Sequence, residues 1–302
     1  MRTIKSSDTF SGYHPLINFI FFTLVMVFTM FLMHPVYLAV SGLSAVAYCI
    51  YLRGRRAMGK SLAYLLPLML LAVFVNAAFT HKGATILLFL PSGNPLTLES
   101  VLYGVGSAVM LAAILLWFVC YTQVMTSDKF IYLFGRVIPA ASLLLSMTLR
   151  FVPLLGAQLR TVTEAQRGMG RDVRKGALRG RTRTAVVILS IVITWAMENA
   201  IETADSMKSR GYGLPGRTAF SIYRFDERDR LMLLWLSFCG GTLIAAWIAG
   251  GFAWHYYPML GGTPITPLSV TFLLLYAALC LTPLLADVWA DRQWKLQERG
   301  TK

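Results

Sequence analysis

Two arginine–glycine pairs are the side chains best suited to do chemistry in this 302-residue chain. One lies in Ala165-Gln166-Arg167-Gly168-Met169-Gly170-Arg171, the other in Met207-Lys208-Ser209-Arg210-Gly211-Tyr212-Gly213. A guanidinium carries paired donors that match a carboxylate, so an arginine projecting from a helix tip can grip an acidic groove of a partner. The plainer reading is a well-capped helix end. Glycine just past the last turn adopts the left-handed conformation cheaply, and arginine there complements the negative end of the dipole. Repetition within one segment tips the balance towards docking, because two such tips suit two similar subunits.

Other candidate chemistry is weaker. Gly54-Arg55-Arg56-Ala57-Met58-Gly59-Lys60-Ser61 matches the phosphate-loop pattern letter for letter. That loop needs a preceding strand and a soluble α/β core, whereas this one joins two apolar segments and has the basic content of a short cytoplasmic turn. ATP hydrolysis is therefore expected in another chain. Glu198, Glu202 and Asp205 form a stripe whose ordinary reading is a solvated face or local pairing with basic neighbours. The four histidines (His14, His34, His81, His255) fall at ends of apolar segments or in loops, and the four cysteines (Cys49, Cys120, Cys239, Cys280) lie in apolar segments without paired spacing. They read as buried free thiols, with no metal or cofactor site implied.

The elements that must position these residues are set by a membrane. The chain is 56% hydrophobic and 14% charged, with mean hydropathy +0.61. Residues 9–52, 61–81, 100–127 and 231–286 contain no Asp, Glu, Lys or Arg. A crossing helix needs about 20 mostly apolar residues, which predicts six spans near 16–33, 36–52, 61–79, 101–124, 231–253 and 267–286. The turns fall at His34-Pro35 and between Pro258 and Pro267. No signal-peptide pattern precedes the first span, which is expected to be retained. With the N-terminus inside, 27 of the 28 Lys and Arg face the cytoplasm and only Lys82 lies outside. That bias predicts both termini in the cytoplasm.

Three regions follow: residues 1–126 with spans one to four, 127–230 as a cytoplasmic helical module, and 231–302 with spans five and six and a basic tail. The module holds two apolar stretches, Val137 to Leu149 and Ala185 to Met197, each short for a crossing. Were both to cross, Arg160, Arg167, Arg171, Arg174, Lys175, Arg179, Arg181 and Arg183 would face outward, against the positive-inside rule. They are expected instead as long helices at the cytoplasmic face, partly sunk against the spans, the first kinked at Pro153. Val152, Leu155, Leu159 and Val162 on one helix, and Ile193, Met197, Ile201, Ala204 and Met207 on the other, are spaced as buried stripes. The basic run from Arg171 to Arg183 suits anionic lipid headgroups; it lacks the stacking aromatics of a nucleic-acid site.

At these residues the sequence resembles the transmembrane T component of energy-coupling factor (ECF) transporters, the family that includes the cobalt-transport permease CbiQ. Ala204-Asp205-Ser206-Met207-Lys208-Ser209-Arg210-Gly211-Tyr212 is similar to the family's Ala-Met-x-Ser/Ala-Arg-Gly-Tyr signature. Leu149-Arg150-Phe151-Val152-Pro153 resembles its Arg-Phe-Ile/Val-Pro segment, and His14-Pro15 its entry to the first span. The family's first tip commonly reads Ala-Gln-x-x-Arg-Gly, which would align its arginine with Met169 and its glycine with Gly170. Here arginine stands at 167 and 171, so the coupling role carries to Ser209, Arg210 and Gly211, and Arg167, Gly168 and Arg171 are nominated at the first tip.

The resemblance implies an all-α polytopic coupling subunit without catalysis of its own. Two ABC-type ATPases, or a homodimer, would bind ATP and magnesium, and a small membrane S component would bind a vitamin or transition-metal ion. The coupling helices would act as levers seated in the ATPases, all in a bacterial plasma membrane. A self-contained secondary transporter is the rival, but such proteins place ionisable residues at midplane, and the predicted spans carry nothing more polar than Asn18, Asn76 and hydroxyls. An intramembrane enzyme would need a nucleophile–base pair or a metal constellation, which the histidine positions do not supply.

Overall fold

The computed structural model describes residues 9–80, 82–89, 95–135, 138–173, 178–214, 223–252, 254–262 and 266–300, with backbone alone at 139 and 294–300. It contains nine helices among those residues: α1 (Pro15–Phe31), α2 (Pro35–Arg53), α3 (Arg55–Phe79), α4 (Leu98–Val124), α5 (Ser127–Gly135), α6 (Pro139–Gly168), α7 (Leu178–Ser209), α8 (Glu227–Ile248) and α9 (Pro267–Gly300). Two short antiparallel hairpins complete it: β1 (Ile86–Phe89) with β2 (Pro95–Thr97), and β3 (Trp254–His255) with β4 (Gly261–Gly262). The chain is an all-α polytopic membrane protein. Seven helices, α2 to α4 and α6 to α9, are long and apolar enough to cross a bilayer; α1 is a shorter apolar helix of 17 residues. Each of the six expected spans coincides with a helix, and by length and composition alone α6 and α7 also suffice.

Contacts divide the chain into two compact units, residues 1–129 with 223–302, and residues 130–222. In the first, two histidine–proline pairs start successive helices in the same way. His14 Nδ1 accepts from the Leu16 N–H at 3.3 Å and His34 Nδ1 from the Val36 N–H at 3.3 Å. Each ring caps its helix while the following proline occupies a position that needs no donor. Gly54 alone separates α2 from α3, at φ +83°, a conformation that glycine reaches without a Cβ penalty. A helix and not a strand precedes it, and residues 55–61 are the first turns of α3, so this stretch is not a phosphate loop.

The core of this unit is aromatic and tightly edge-packed. Phe10, Phe21, Phe22, Tyr48 and Trp117 are fully buried, with Phe21 and Trp117 ring centroids 5.9 Å apart in a T-shaped contact. Such edge-to-face pairs add to the stabilisation from burial alone. A polar network sits inside that core: Thr29 and Ser41 hydroxyls are 2.6 Å apart, Trp117 Nε1 donates to Ser41 Oγ at 3.1 Å, and the Tyr276 hydroxyl lies 3.2 Å from Thr29 Oγ1. One network thus joins α1, α2, α4 and α9. All four cysteines are buried and free, as expected from their apolar settings.

The buried charged groups Lys129, Asp229 and Asp287 are each held by hydrogen bonds. Lys129 donates to the Ser11 carbonyl at 2.5 Å, to Ser11 Oγ at 2.9 Å and to the Val124 carbonyl at 2.9 Å. Asp229 accepts from the His14 N–H and closes a capping box at the start of α8, and Asp287 accepts from the Phe10 N–H at 2.7 Å. Hydrogen bonds of this kind make such burial tolerable. Elsewhere the surface of α3 is strongly apolar, with Tyr64, Leu70 and Phe74 well exposed, as suits a helix facing lipid rather than water.

Candidate functional site

Both arginine–glycine tips lie in the second unit, at the ends of α6 and α7. Phe151 of α6 stacks on Trp195 of α7 with centroids 6.1 Å apart and planes 9° off parallel. Further along, Val162 packs with Ile188 and Val192. A later residue of α6 meeting earlier residues of α7 means that the helices run in opposite directions where they touch. The tips therefore lie at opposite ends of the pair. At 1.5 Å per residue, the α6 tip is about 25 Å from the stack one way and the α7 tip about 20 Å the other, so at most roughly 45 Å separates them. One small groove cannot take both.

The first tip ends in a glycine cap. The Gly170 N–H donates to the Arg167 carbonyl at 3.0 Å and the Arg171 N–H to the Gln166 carbonyl at 3.0 Å, with Gly170 at φ +80°. The second repeats it residue for residue. The Gly211 N–H donates to the Lys208 carbonyl and the Tyr212 N–H to the Met207 carbonyl, both at 3.0 Å, with Gly211 at φ +76°. This pair of bonds satisfies carbonyls that an ending helix leaves open. Ser209 uses its hydroxyl locally, donating to the Ser206 carbonyl at 2.9 Å, and leaves Arg210 exposed at the cap itself.

The predicted residues of the first tip behave differently from one another. Arg167 pairs with Asp172 at 3.1 Å, Gly168 sits in the last turn with open space around it, and Arg171 is exposed beyond the cap. Gln166 is buried at 6% exposure, its Oε1 without a hydrogen-bond partner. Glu198, Glu202 and Asp205 are exposed, and the ion pairs among the described residues are Arg167–Asp172 and Arg230–Glu227. The acidic stripe is a solvated face and not a partner of the basic helix.

The buried stripes expected on α6 and α7 need correction. Val162 and Leu155 do pack inward, but Val152 is 66% exposed and Leu159 43%. On α7, Ile193, Met197 and Ile201 are all at least half exposed, and the buried residues are Ile188 and Val192. Two crossing helices bury only the short patch where they meet, and these helices carry apolar residues over far more than that patch. α6 also continues as a helix through Pro153. His81 and the run 174–177 lie outside the described residues, which hold no group of three metal-ligating side chains.

The cobalt transport protein (CbiQ) family profile matches residues 9–220, more than two thirds of the chain and all of both tips. The chain belongs to the CbiQ family. It is also similar to curated proteins named energy-coupling factor transporter transmembrane protein EcfT: 33% identical over 104 residues to that of Lactobacillus helveticus, 32% over 112 residues to that of Exiguobacterium sibiricum, and 31% over 111 residues to that of Bacillus selenitireducens. Those alignments take in 34%, 37% and 36% of this chain. They cover 38%, 42% and 41% of the relatives, so the chain spans about two fifths of the length of the curated relatives it matches. The capped ends of α6 and α7 both fall inside the matched region.

Proposed function

We propose that this chain is the membrane-embedded coupling subunit of an ECF-type ABC importer, passing ATP-driven movements of cytoplasmic ATPases to a small substrate-binding membrane subunit. The observation that carries the reading is the pair of identically capped helix tips at opposite ends of α6 and α7, the second ending on exposed Arg210. Two seats at opposite ends of the helix pair suit two ATPase subunits, and Arg210 offers paired donors to carboxylates in one of them. ATP and magnesium belong to the ATPases; the vitamin or transition-metal ion belongs to the substrate-binding subunit. Closure of the ATPases would displace rigid, packed levers, and packed interfaces turn small displacements into discrete rearrangements. The termini and the α6–α7 pair lie on the cytoplasmic side of a bacterial plasma membrane, in keeping with the placement of 27 of 28 basic residues.

The test is charge reversal at Arg210. In the assembled complex, Arg210→Glu should abolish substrate uptake while the protein remains in the membrane, because a carboxylate facing carboxylates is repelled and left unpaired. ATPase subunits should accompany the unaltered chain through purification. Full uptake by the variant, or uptake by the isolated chain without ATPases, would count against coupling and for a secondary transporter.

A further inference from the structure

The matching caps give every residue at one tip a counterpart at the other. Gln166 answers to Met207, Arg167 to Lys208, Gly168 to Ser209, Gly170 to Gly211 and Arg171 to Tyr212, because each pair makes or accepts the same backbone bond or stands between those that do. Between them, at the cap position itself, Met169 stands where the second tip has Arg210. Met169 is 62% exposed, and its N–H is used by the Ala165 carbonyl at 3.2 Å, just as that of Arg210 is used by Ser206 at 3.2 Å. The two tips therefore have one backbone and opposite side-chain chemistry.

The nearby arginines do not restore the charge at that position. Arg167 lies two residues back along the helix and its Nε is held by Asp172 at 3.1 Å. Arg171 lies two residues beyond the cap, in the place of Tyr212. Resting on the coupling function proposed above, we infer that the first tip docks through Met169 into an apolar pocket of its ATPase, and not through an arginine in an acidic groove. A thioether on an unbranched, three-rotor side chain fits an irregular apolar hollow. Set against carboxylates it would strip them of water and supply no donor, a cost no partner would retain. The ATPase surfaces under the two tips are then chemically distinct, and each tip rejects the other's seat by mismatch as well as by lost contact.

The experiment compares single substitutions in the full complex, in membranes, with uptake and retention of the ATPases as readouts. Met169→Arg should lower uptake by about tenfold or more, since it places an unpaired charge in an apolar pocket, whereas Met169→Leu keeps it within about twofold, a volume-conserving exchange. Arg171→Ala should keep uptake within about threefold, as removal of an exposed charge does. Met169 is exposed, so the substitution disturbs no core packing, and equal amounts of variant in the membrane exclude misfolding as the cause of a loss. Unchanged uptake in Met169→Arg overturns the inference, and so does loss of uptake in Arg171→Ala whatever Met169→Arg does. Arg210→Glu is run alongside. If it alone fails, coupling stands and the apolar seat is refuted; if it is silent, coupling itself is refuted.

Discussion

The Trp117 indole donates to Ser41 Oγ at 3.1 Å, joining α4 to α2 in a core where both side chains are fully buried. Ser41 is also 2.6 Å from Thr29, which holds Tyr276 of α9 and the Val25 carbonyl at 2.8 Å. Ser41→Ala leaves Thr29 with partners but strands the Trp117 N–H. A buried donor left unpaired costs about 1–3 kcal/mol, against an average nearer 0.6 kcal/mol for hydrogen bonds between membrane helices. Because Trp117 is enclosed by aromatic side chains, the larger range applies. Thermal unfolding in detergent should show a lower Tm for Ser41→Ala, and adding Trp117→Phe should cost less in that background than in the native one. Additive losses would show that the bond carries no coupling energy.

Acid should loosen the entry to α1. Burial pushes the His14 imidazole below its usual 6.5, partly offset by the Asp229 carboxylate, and its Nδ1 is needed as an acceptor for the Leu16 N–H. The folded state therefore binds the proton less readily than the unfolded one. Stability is complete above about 6.5 and declines as pH falls from there through the depressed folded value. Neighbours of the ring include Asp229, whose carboxylate accepts from the His14 backbone N–H, and Phe225, with ring centroids 5.3 Å apart. His14→Asn keeps a capping oxygen without a titrating group, so its unfolding midpoint should vary less between pH 7 and 5 than that of the native chain. Equal slopes would remove His14 as the source.

Gly170 and Gly211 both need a left-handed backbone, at φ +80° and +76°. Alanine there costs about 1–2 kcal/mol. Open space surrounds a Cβ at Gly170, but at Gly211 it would meet Leu214 Cδ1 at 3.1 Å, so Gly211→Ala should be the worse of the two. Amide exchange in the last turns of α6 and α7 reads this directly. Protection should fall by about tenfold in Gly170→Ala, the equivalent of 1.4 kcal/mol, and by more in Gly211→Ala, with the change confined to the altered tip. Unchanged protection would mean that the caps do not hold those turns.

Much of this architecture is legible in composition because the membrane filters it so strongly. All six spans predicted from the four charge-free windows coincide with helices, since a backbone in lipid has no other way to satisfy its polar groups. Helix ends were less legible. α3 begins at Arg55 and α4 at Leu98, so helices run past the apolar windows into charged residues at the boundary. The Thr29–Ser41–Trp117–Tyr276 network had no signal, because four ordinary residues on four helices acquire meaning only when packing brings them together. The stripes on α6 and α7 failed for a related reason: periodicity shows that a face is apolar, not which neighbour covers it. Gly211 takes the positive φ expected of a glycine just past a helix end, whereas at the first tip that conformation falls on Gly170, two residues beyond the nominated Gly168. The equivalence of Met169 with Arg210 rests on hydrogen bonds that spacing alone did not supply.

The side of the membrane on which the α6–α7 pair lies decides whether the tips can meet ATPases at all. By length and apolarity both helices are able to cross, so charge must be the arbiter. If they crossed, Arg160, Arg167, Arg171, Arg179, Arg181 and Arg183 would lie outside with their neighbours in the run, each against the positive-inside bias. A reporter cysteine separates the two arrangements. The native cysteines Cys49, Cys120, Cys239 and Cys280 are all buried, so a membrane-impermeant maleimide should find little background. Lys175→Cys is expected to resist labelling in intact cells and to react once the membrane is opened. Labelling from outside would place the run between α6 and α7 beyond the bilayer, and the first tip with it, out of reach of any cytoplasmic ATPase.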